Sequence, residues 1–290
     1  MLIKDLKSIN DGFDKLGYVV DEELATILFL LLKLGKPLLL EGNPGVGKTE
    51  VANILANYLD TELIRLQCYE GLDVNTAVYE WNYQKQLLSI KIQEASNQSA
   101  TEKEAHIFGE DFLLKRPLLK AITAAKAPVL LIDEIDRADE EFEAFLLELL
   151  SAFQISIPEM GTIKATHRPY VILTSNRTRE LSDALKRRCL YHWVDYPDLE
   201  KEKKIIAKHL PNIEPALATQ LVLSVQKLRQ LQLDKAPGIA ETLDWANGLL
   251  ALGYKELSIE AIATSLGCVL KSVDDIAKVK TRGLDELIET

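Results

Sequence analysis

Short apolar runs alternate with amphipathic segments from Lys36 to about Pro197. Such alternation predicts a parallel β-sheet with helices on both faces. Several runs are apolar almost throughout, as is typical of strands buried on both sides. The predicted strands are Pro37–Glu41, Glu62–Gln67, Pro128–Asp133, Tyr170–Ser175 and Leu190–Val194. The predicted helices are Lys48–Tyr58, Leu118–Ala125, Glu140–Ala152 and Ser182–Arg187.

Two features interrupt the alternation. The stretch from 72 to 116 is longer than one helix requires, and we expect an insert at about 72–95. Within that stretch, the polar run Asn97–Glu104 predicts an exposed loop. Residues 154–165 predict a β-hairpin, because two short alternating runs flank a turn built on Pro158 and Gly161.

Helical periodicity replaces the strand pattern after Asp195, for example over Ile213–Leu231 and Ala240–Leu252. The sequence therefore predicts two domains. Residues 1–196 form the α/β domain, which includes the insert and the hairpin, and residues 197–290 form a small all-α domain.

Composition limits the classes of function. The net charge of −10 argues against nucleic acid as the default partner, since an acidic surface repels phosphate backbones. The three cysteines are too few and too scattered for a disulfide framework or a metal cluster, and we expect buried thiols in a reducing compartment. The first ten residues carry charges, and no apolar run approaches the length of a membrane span. These features predict a cytoplasmic protein without a membrane segment.

A glycine-rich loop follows the first predicted strand and opens a helix. The segment GNPGVGKT fits the pattern G-x-x-x-x-G-K-[ST], whose backbone N–H groups bind phosphates. Lys48 supplies positive charge for the β and γ phosphates, and the Thr49 hydroxyl can bind Mg²⁺. The alternative, a turn that only caps a strand, does not explain both flanks. The predicted ATP-binding residues of this segment are Gly42, Asn43, Pro44, Gly45, Val46, Gly47, Lys48, Thr49 and Glu50.

Two adjacent acids end the predicted strand in PVLLIDEID. Parallel sheets bind ligands at the carboxyl ends of their strands, where both acids would lie. We expect Asp133 to hold Mg²⁺, directly or through water, and Glu134 to polarise the attacking water. The alternative is a pair of solvated acids, which many strands have. The phosphate loop about ninety residues earlier favours the functional interpretation.

Polar residues also end the predicted strand Tyr170–Ser175 and the predicted helix Ser182–Arg187. Asn176 ends the strand in VILTSN, where a neutral amide can orient the attacking water; the alternative is a turn-forming asparagine. Arg187 and Arg188 end a short helix and could reach the γ-phosphate of a neighbouring subunit. Two solvated arginines that favour the helix dipole are the alternative. We favour the catalytic role in both cases, with Arg188 ahead of Arg187.

With GNPGVGKT, LLIDEID, TSN and ALKRRC in this order, the chain resembles an AAA+ ATPase. The hairpin ISIPEMGTIKA and the insert YEGLDVNTAVYEWNYQKQLLSIK resemble the clade with an insert in its second helix. PGIAETLDWA extends the likeness to the MoxR family, most closely the branch associated with carbon monoxide dehydrogenase maturation. The resemblance implies an AAA+ α/β sheet followed by a helical lid, Mg²⁺-dependent ATP hydrolysis, and a ring, often of six subunits. It also implies a partner with a von Willebrand A-type domain and a protein client.

The chain departs from this resemblance in the lid. Family members often carry a sensor arginine early in a lid helix, but the best match here is Ala240, and the closest arginine upstream is Arg229. The segment Gly17–Val20 resembles the stretch that lines the adenine pocket, and Val19 is the residue expected to contact the base.

Three aromatic residues of the insert, Tyr79, Trp81 and Tyr83, stand at alternating positions. They could contact a client or line a pore, or pack the insert onto the domain, and the sequence does not separate these alternatives. The leading hypothesis is a remodelling ATPase. A nucleic-acid motor is disfavoured by the acidic balance and by a hairpin whose one basic residue is Lys164. A nucleotide-gated platform with negligible turnover is disfavoured by Glu134 and Asn176.

Overall fold

The computed structural model describes residues 5–93, 99, 103 and 106–288. Its strands are β1 (Leu38–Gly42), β2 (Leu63–Gln67), β3 (Tyr79–Trp81), β4 (Leu113–Lys115), β5 (Val129–Asp133), β6 (Gln154–Ile157), β7 (Gly161–Lys164), β8 (Tyr170–Ser175) and β9 (Leu190–Val194). Its first seven helices are α1 (Leu6–Lys15), α2 (Glu22–Leu34), α3 (Lys48–Tyr58), α4 (Val74–Val78), α5 (Tyr83–Gln93), α6 (Pro117–Ile122) and α7 (Glu140–Ala152). The remaining helices are α8 (Asp183–Arg188), α9 (Leu199–His209), α10 (Pro215–Gln230), α11 (Ile239–Ala251), α12 (Ile259–Val269) and α13 (Val273–Arg282).

Five strands form a parallel sheet in the order β2-β5-β8-β1-β9. The register pairs Leu38 of β1 with Ile172 of β8, and Val129 of β5 with Tyr170 of β8. Every residue of β1 and β5 is buried, which explains why these strands are apolar throughout. The predicted fold class, a parallel α/β sheet followed by a helical region, is confirmed.

Helix boundaries differ from the prediction where capping was not recognised. Helix α6 ends at Ile122, three residues earlier than predicted, because Thr123 leaves the helical conformation while its N–H still bonds Leu119. Helix α8 begins one residue later than predicted, because Ser182 is its N-cap and accepts a hydrogen bond from Leu185.

The predicted hairpin is present as β6 and β7, which pair antiparallel. Ile155 and Ile157 face the core, whereas β7 is largely exposed. A second two-stranded sheet, β3 with β4, was not predicted. Each of its strands has three residues and the two are far apart in sequence, so neither gives a recognisable period. The predicted loop Asn97–Glu104 lies largely outside the described residues.

The aromatic residues of the insert divide between the two alternatives. Trp81 is buried and meets Phe108 edge-on with ring centroids 5.3 Å apart, and Tyr79 packs beside it. Tyr83 is 65% exposed at the start of α5. The same short helix exposes a series of aliphatic side chains, namely Leu87, Leu88, Ile90 and Ile92.

The described residues pack into two compact units. The first comprises Thr26–Glu41 and the described part of Ala52–His192. The second comprises the described parts of Lys4–Ala25 and Trp193–Thr290 together with Gly42–Val51. The glycine-rich loop therefore groups with the C-terminal helices, although it lies early in the chain. The predicted division at 196/197 stays a prediction.

Each unit has its own hydrophobic core. In the first unit, Phe142 and Leu146 of α7 pack with Leu130 and Ile132 of β5. In the second unit, helices α9 to α13 bury a core around Trp245, whose indole N–H donates to Ser265 Oγ at 2.7 Å. No helix in the described part of the chain is long and apolar enough to cross a membrane.

Candidate functional site

The glycine-rich loop of the second unit curls around its own lysine. The loop leaves β1 at Gly42, and α3 begins at Lys48. Gly45 and Gly47 adopt φ angles of +76° and +93°, which side chains rarely permit. Lys48 is buried, and its ammonium donates to the carbonyl oxygens of Gly42 and Asn43, each at 2.8 Å. The charge of Lys48 is therefore held at the mouth of the loop.

Backbone packing explains a further glycine of this loop. A Cβ atom on Gly42 would lie 2.2 Å from the carbonyl oxygen of Val194 in β9. Real Cβ atoms do not approach a carbonyl so closely, so a larger residue would displace the strand or the loop. The loop conformation depends on glycine at this position as well as at the two positive-φ positions.

The N-terminus of α11 contacts the same loop within the second unit. Ile239 N–H donates to the carbonyl oxygen of Gly45 at 2.9 Å. Gly238 packs on Gly45 so closely that a Cβ on Gly238 would lie 2.7 Å from the Gly45 Cα. Glu241 caps the helix by accepting from Gly238 N–H at 2.9 Å. Ala240, at the predicted sensor position, thus belongs to a turn that touches the loop through backbone atoms.

Arg229 is held by contacts within the second unit. Its guanidinium forms a buried ion pair with Glu202 at 2.7 Å and donates to the Pro237 carbonyl oxygen at 2.8 Å. It also stacks over the Tyr196 ring, 4.6 Å from the centroid. Arg229 therefore fixes the chain that leads into α11.

Asp133, the last residue of β5, is buried in the first unit, and both oxygens of its carboxylate accept hydrogen bonds. Thr174 Oγ1 donates to Oδ1 at 2.5 Å, and Arg65 Nη2 donates to Oδ2 at 2.6 Å. Arg65 also donates to Gln67 Oε1 at 2.6 Å. Because β2, β5 and β8 are neighbours, these side chains meet at the carboxyl ends of three strands.

Glu134 adopts the left-handed conformation, with φ 54° and ψ 49°. A residue with a Cβ adopts this conformation at a cost of about 1–2 kcal/mol. The Glu134 N–H donates to Thr174 Oγ1 at 2.9 Å, and the Glu134 carboxylate pairs with Arg137 Nε at 2.7 Å. The side chain turns away from the strand direction and is partly exposed.

Asp136 ties the ends of β5 and β8 together. Its carboxylate accepts from the N–H groups of Asn176 and Thr178, at 3.2 Å and 2.8 Å, and from Thr178 Oγ1 at 2.7 Å. Asn176, the predicted water-orienting residue, is therefore anchored through its backbone beside Asp133 and Glu134. Arg177 follows in the left-handed conformation, with φ 57°.

The two candidate arginines lie at the exposed end of α8. Arg188 Nε donates to Ser151 Oγ at 2.9 Å and Nη1 donates to the Ala184 carbonyl oxygen at 3.1 Å. Arg187 is also exposed. The structure gives Arg188 a defined orientation on the surface of the first unit, and its role toward a neighbouring subunit stays a prediction.

Val19 lies between α1 and α2 in the second unit and is half-buried. Its neighbour Tyr18 packs edge-on against Phe13, with ring centroids 6.1 Å apart, and burial raises the Tyr18 pKa. The predicted contact of Val19 with a base stays a prediction.

Cys68 lies directly after β2, where the acidic residues at the strand ends affect the pKa of its thiol. Burial raises the pKa of its thiol to about 12, and the negative charges of Asp133, Asp136 and Glu134 add to the effect. Burial also raises the Cys189 pKa to about 12. Both thiols are therefore protonated at neutral pH, as expected of unreactive buried cysteines.

Sequence reasoning missed Arg65, Thr174 and Asp136. Thr174 and Asp136 lie within two residues of a predicted site residue, and Arg65 lies in the middle of the adjacent strand β2. A polar residue near the end of an otherwise apolar strand, such as Thr174 in VILTS, was the available signal. Arg65 gave none, because strand order is needed to bring it beside Asp133.

Comparison with known proteins identifies the chain at the family level. The profile of the AAA domain (dynein-related subfamily) matches residues 37–189, which is more than half of the chain. An uncharacterized protein of Staphylococcus haemolyticus is 27% identical over 217 residues, covering 73% of this chain and 75% of the relative. One from Staphylococcus aureus (strain bovine RF122) is 31% identical over 182 residues, covering 61% and 62%.

Among solved structures, a mutant form of RuvB from Thermotoga maritima superposes with a TM-score of 0.52 at 19% identity. The match covers 88% of this chain and 72% of that chain. At this identity the likeness concerns the fold alone, and it agrees with the five-stranded parallel sheet followed by helices. Since the family profile spans β1 to β8, the glycine-rich loop and the acidic strand ends, the chain belongs to the AAA domain family of the dynein-related subfamily, which are AAA+ proteins.

Proposed function

We propose that the protein is a Mg²⁺-dependent ATPase that uses hydrolysis at subunit contacts to remodel a client protein. Nucleotide hydrolysis is general in AAA+ proteins; the identity of the nucleotide, the metal and the client are the proposed parts. The observation that carries the proposal is the pair Asp133 and Glu134, fixed at the end of β5 in a chain whose β1 ends in a phosphate loop. The neighbouring Asn176 completes a set suited to activating water.

The residues present fit a magnesium ion. Mg²⁺ prefers oxygen ligands, and Asp133 offers a buried carboxylate while Thr49 offers a hydroxyl. When bound, the ion would neutralise charge on the β and γ phosphates. Arg65 and Thr174 already hold the Asp133 carboxylate in one orientation, as outer-shell partners of metal ligands do. Lys48 would bind the same phosphates from the loop.

Glu134 is the proposed base. Its carboxylate would polarise a water molecule, and Asn176 would orient that water without adding negative charge. In the present conformation Glu134 pairs with Arg137. The geometry therefore requires a change of side-chain rotamer before Glu134 accepts a hydrogen bond from water, while its backbone stays bonded to Thr174.

Ring assembly follows from the family, since AAA+ proteins typically form rings. Arg188 is proposed to complete the neighbour's active site, because it is exposed and held by Ser151. The closer likeness to the MoxR family supports a hexamer, a von Willebrand A-type partner and a client such as a metallo-enzyme. The exposed aliphatic side chains of α5 are consistent with a protein client.

Replacing Glu134 with glutamine tests the proposed function. The Glu134→Gln protein should bind a fluorescent ATP analogue as the wild type does, yet release phosphate at least about 100-fold more slowly. Glutamine has the size of glutamate and must adopt the same left-handed backbone conformation. Lost turnover with normal ATP binding would therefore identify the Glu134 carboxylate as the base. Affinity capture with this variant in ATP should retain the partner and the client.

Wild-type protein with no phosphate release above the Glu134→Gln level would instead favour a nucleotide-gated platform. Unchanged turnover in the variant would move the base elsewhere.

A nucleic-acid motor is the competing proposal, because the hairpin of β6 and β7 resembles an insertion that replicative helicases also carry. The net charge of −10 argues against it here. Filter binding of duplex and single-stranded DNA across salt concentrations decides. A motor must bind with an affinity that falls steeply with salt, whereas the remodelling proposal expects no saturable binding.

A further inference from the structure

Thr174 is the penultimate residue of β8 and is buried beside the end of β5. Register pairs Ile132 with Leu173, so the next residues along, Asp133 and Thr174, stand level at the sheet edge. The threonine hydroxyl makes two hydrogen bonds there. It donates to Asp133 Oδ1 at 2.5 Å and accepts from Glu134 N–H at 2.9 Å.

The direction of both bonds is fixed by their chemistry. A carboxylate can only accept and a backbone N–H can only donate, whereas a hydroxyl has one hydrogen and free lone pairs. One side chain therefore orients the Asp133 carboxylate and holds the Glu134 backbone in a conformation that non-glycine residues avoid.

We infer that Thr174 is the positioning residue that couples the metal-binding acid to the catalytic base. Its hydroxyl sets the carboxylate of Asp133 for Mg²⁺ and at the same time sets the peptide from which Glu134 projects. Thr174 itself touches neither the metal nor the nucleotide. The inference rests on the proposed function and adds to it that metal affinity and turnover depend on one hydroxyl.

Thr174→Val tests this, because valine keeps the shape and removes both hydrogen bonds. Two readouts are needed. Binding of Mn²⁺ in the presence of ADP, measured by electron paramagnetic resonance, should weaken about 10- to 100-fold, the range for lost outer-shell partners. Phosphate release at saturating Mg²⁺ should still fall about 10-fold or more, since excess metal does not restore the Glu134 backbone. Binding of a fluorescent ATP analogue in EDTA should be unchanged.

Thr174→Ser is the rescue variant, since serine restores the hydroxyl without the methyl group. It should return Mn²⁺ affinity and turnover to within about threefold of the wild type. Thr123→Val is the matched control. It removes a threonine hydroxyl that donates to Leu119 at 2.8 Å, in the same unit but at the end of α6. We expect no change in Mn²⁺ affinity from it.

Wild-type Mn²⁺ affinity and turnover in Thr174→Val would overturn the inference. Equal losses in Thr174→Val and Thr174→Ser, in folded proteins, would also overturn it, because the methyl packing would then be the cause. If the valine variant does not fold, the serine variant decides: wild-type Mn²⁺ affinity and turnover would support the inference, and a loss of both in the folded protein would overturn it. The proposed function fails separately, through a wild-type protein that neither binds Mn²⁺ with ADP nor releases phosphate.

Discussion

The two compact units hold their candidate functional residues by different means. In the second unit the phosphate loop is shaped by backbone atoms: two positive-φ glycines, a third glycine against Val194, and a backbone hydrogen bond from α11. In the first unit, the strand ends are held by side chains, chiefly Thr174, Arg65 and Asp136. Backbone atoms suit a ligand whose shape is constant, and side chains suit groups that must change during a reaction. The comparison predicts that substitutions in the second unit impair nucleotide binding, whereas substitutions in the first unit impair turnover.

The largest effect is expected from Arg188, on the surface of the first unit. Arg188→Ala should lower turnover by roughly 10³-fold with ATP binding almost intact, as for arginine fingers. Arg187→Ala is the matched comparison, one residue away and without the Ser151 contact of Arg188. The phosphate-release rates of the two variants identify which arginine acts.

Mixing tests whether Arg188 acts on a neighbour. Lys48→Ala subunits keep the arginine and Arg188→Ala subunits keep the loop, so mixed assemblies should recover part of the activity. Mixtures that stay inactive, although mass measurement shows both subunits in one assembly, would contradict action in trans. A dose series of either variant into wild type then reveals whether coordination around the ring silences every site.

Lys48→Ala, in the second unit, should have the opposite effect to Arg188→Ala: it should impair ATP binding. Removing the ammonium proposed to bind two phosphates would delete charge-assisted hydrogen bonds of about 1.5–3 kcal/mol each, so ATP affinity should fall at least about 100-fold. Equilibrium binding of a fluorescent analogue measures this. Near-normal affinity would contradict the assignment of the phosphate loop.

Gly238→Ala should produce a smaller effect through packing. The added Cβ would lie 2.7 Å from Gly45 backbone atoms, and such overpacking destabilises by about 1–3 kcal/mol. Urea unfolding should show this loss, and ATP affinity should fall with it because the loop must shift. Gly267→Ala is the control: no atom lies within 4 Å of its Cβ, and a helical alanine should stabilise by about 0.5–1 kcal/mol. Equal stability of the two variants would contradict the close packing of Gly238, before α11, on Gly45 of the loop.

The smallest effect concerns two thiols of the first unit, those of the buried Cys68 and the half-buried Cys189. Their folded pKa values of about 12 exceed the ordinary value of 9, so their contribution to stability is complete below about pH 9 and is lost as pH rises towards 12. At pH 10 each thiol should cost about 1 kcal/mol of unfolding free energy. A Cys68→Ala, Cys189→Ala double variant should lack this extra alkaline slope in urea unfolding. Identical slopes would contradict the burial of the two thiols.

The sequence predicted the sheet well, because its strands are buried on both faces and their apolar runs follow from that burial alone. β1 and β5 were located to within a residue for this reason. The phosphate loop and Asp133 were predictable because their spacing and flanks are local. The β3–β4 pair was not, since its strands have three residues and pair across a long separation.

The supporting residues of the site were harder to predict for a physical reason. Arg65 and Asp133 are adjacent only because β2 and β5 pair, and sequence distance carries no information on strand order. The contact of Gly238 with Gly45 likewise joins residues nearly two hundred positions apart. Interactions that depend on tertiary neighbours have no period or spacing in the chain.

The left-handed backbone at Glu134 and Arg177 limits how this protein can evolve. Both residues lie within two positions of a strand end of the first unit, and glycine or asparagine would occupy either conformation more readily. At Glu134 such a replacement would relieve strain and delete the carboxylate, so under the proposed mechanism the less strained residue is the inactive one. Stability and activity thus oppose each other at one position. A lineage selected only for a robust fold would drift towards an assembly that still binds nucleotide but no longer hydrolyses it.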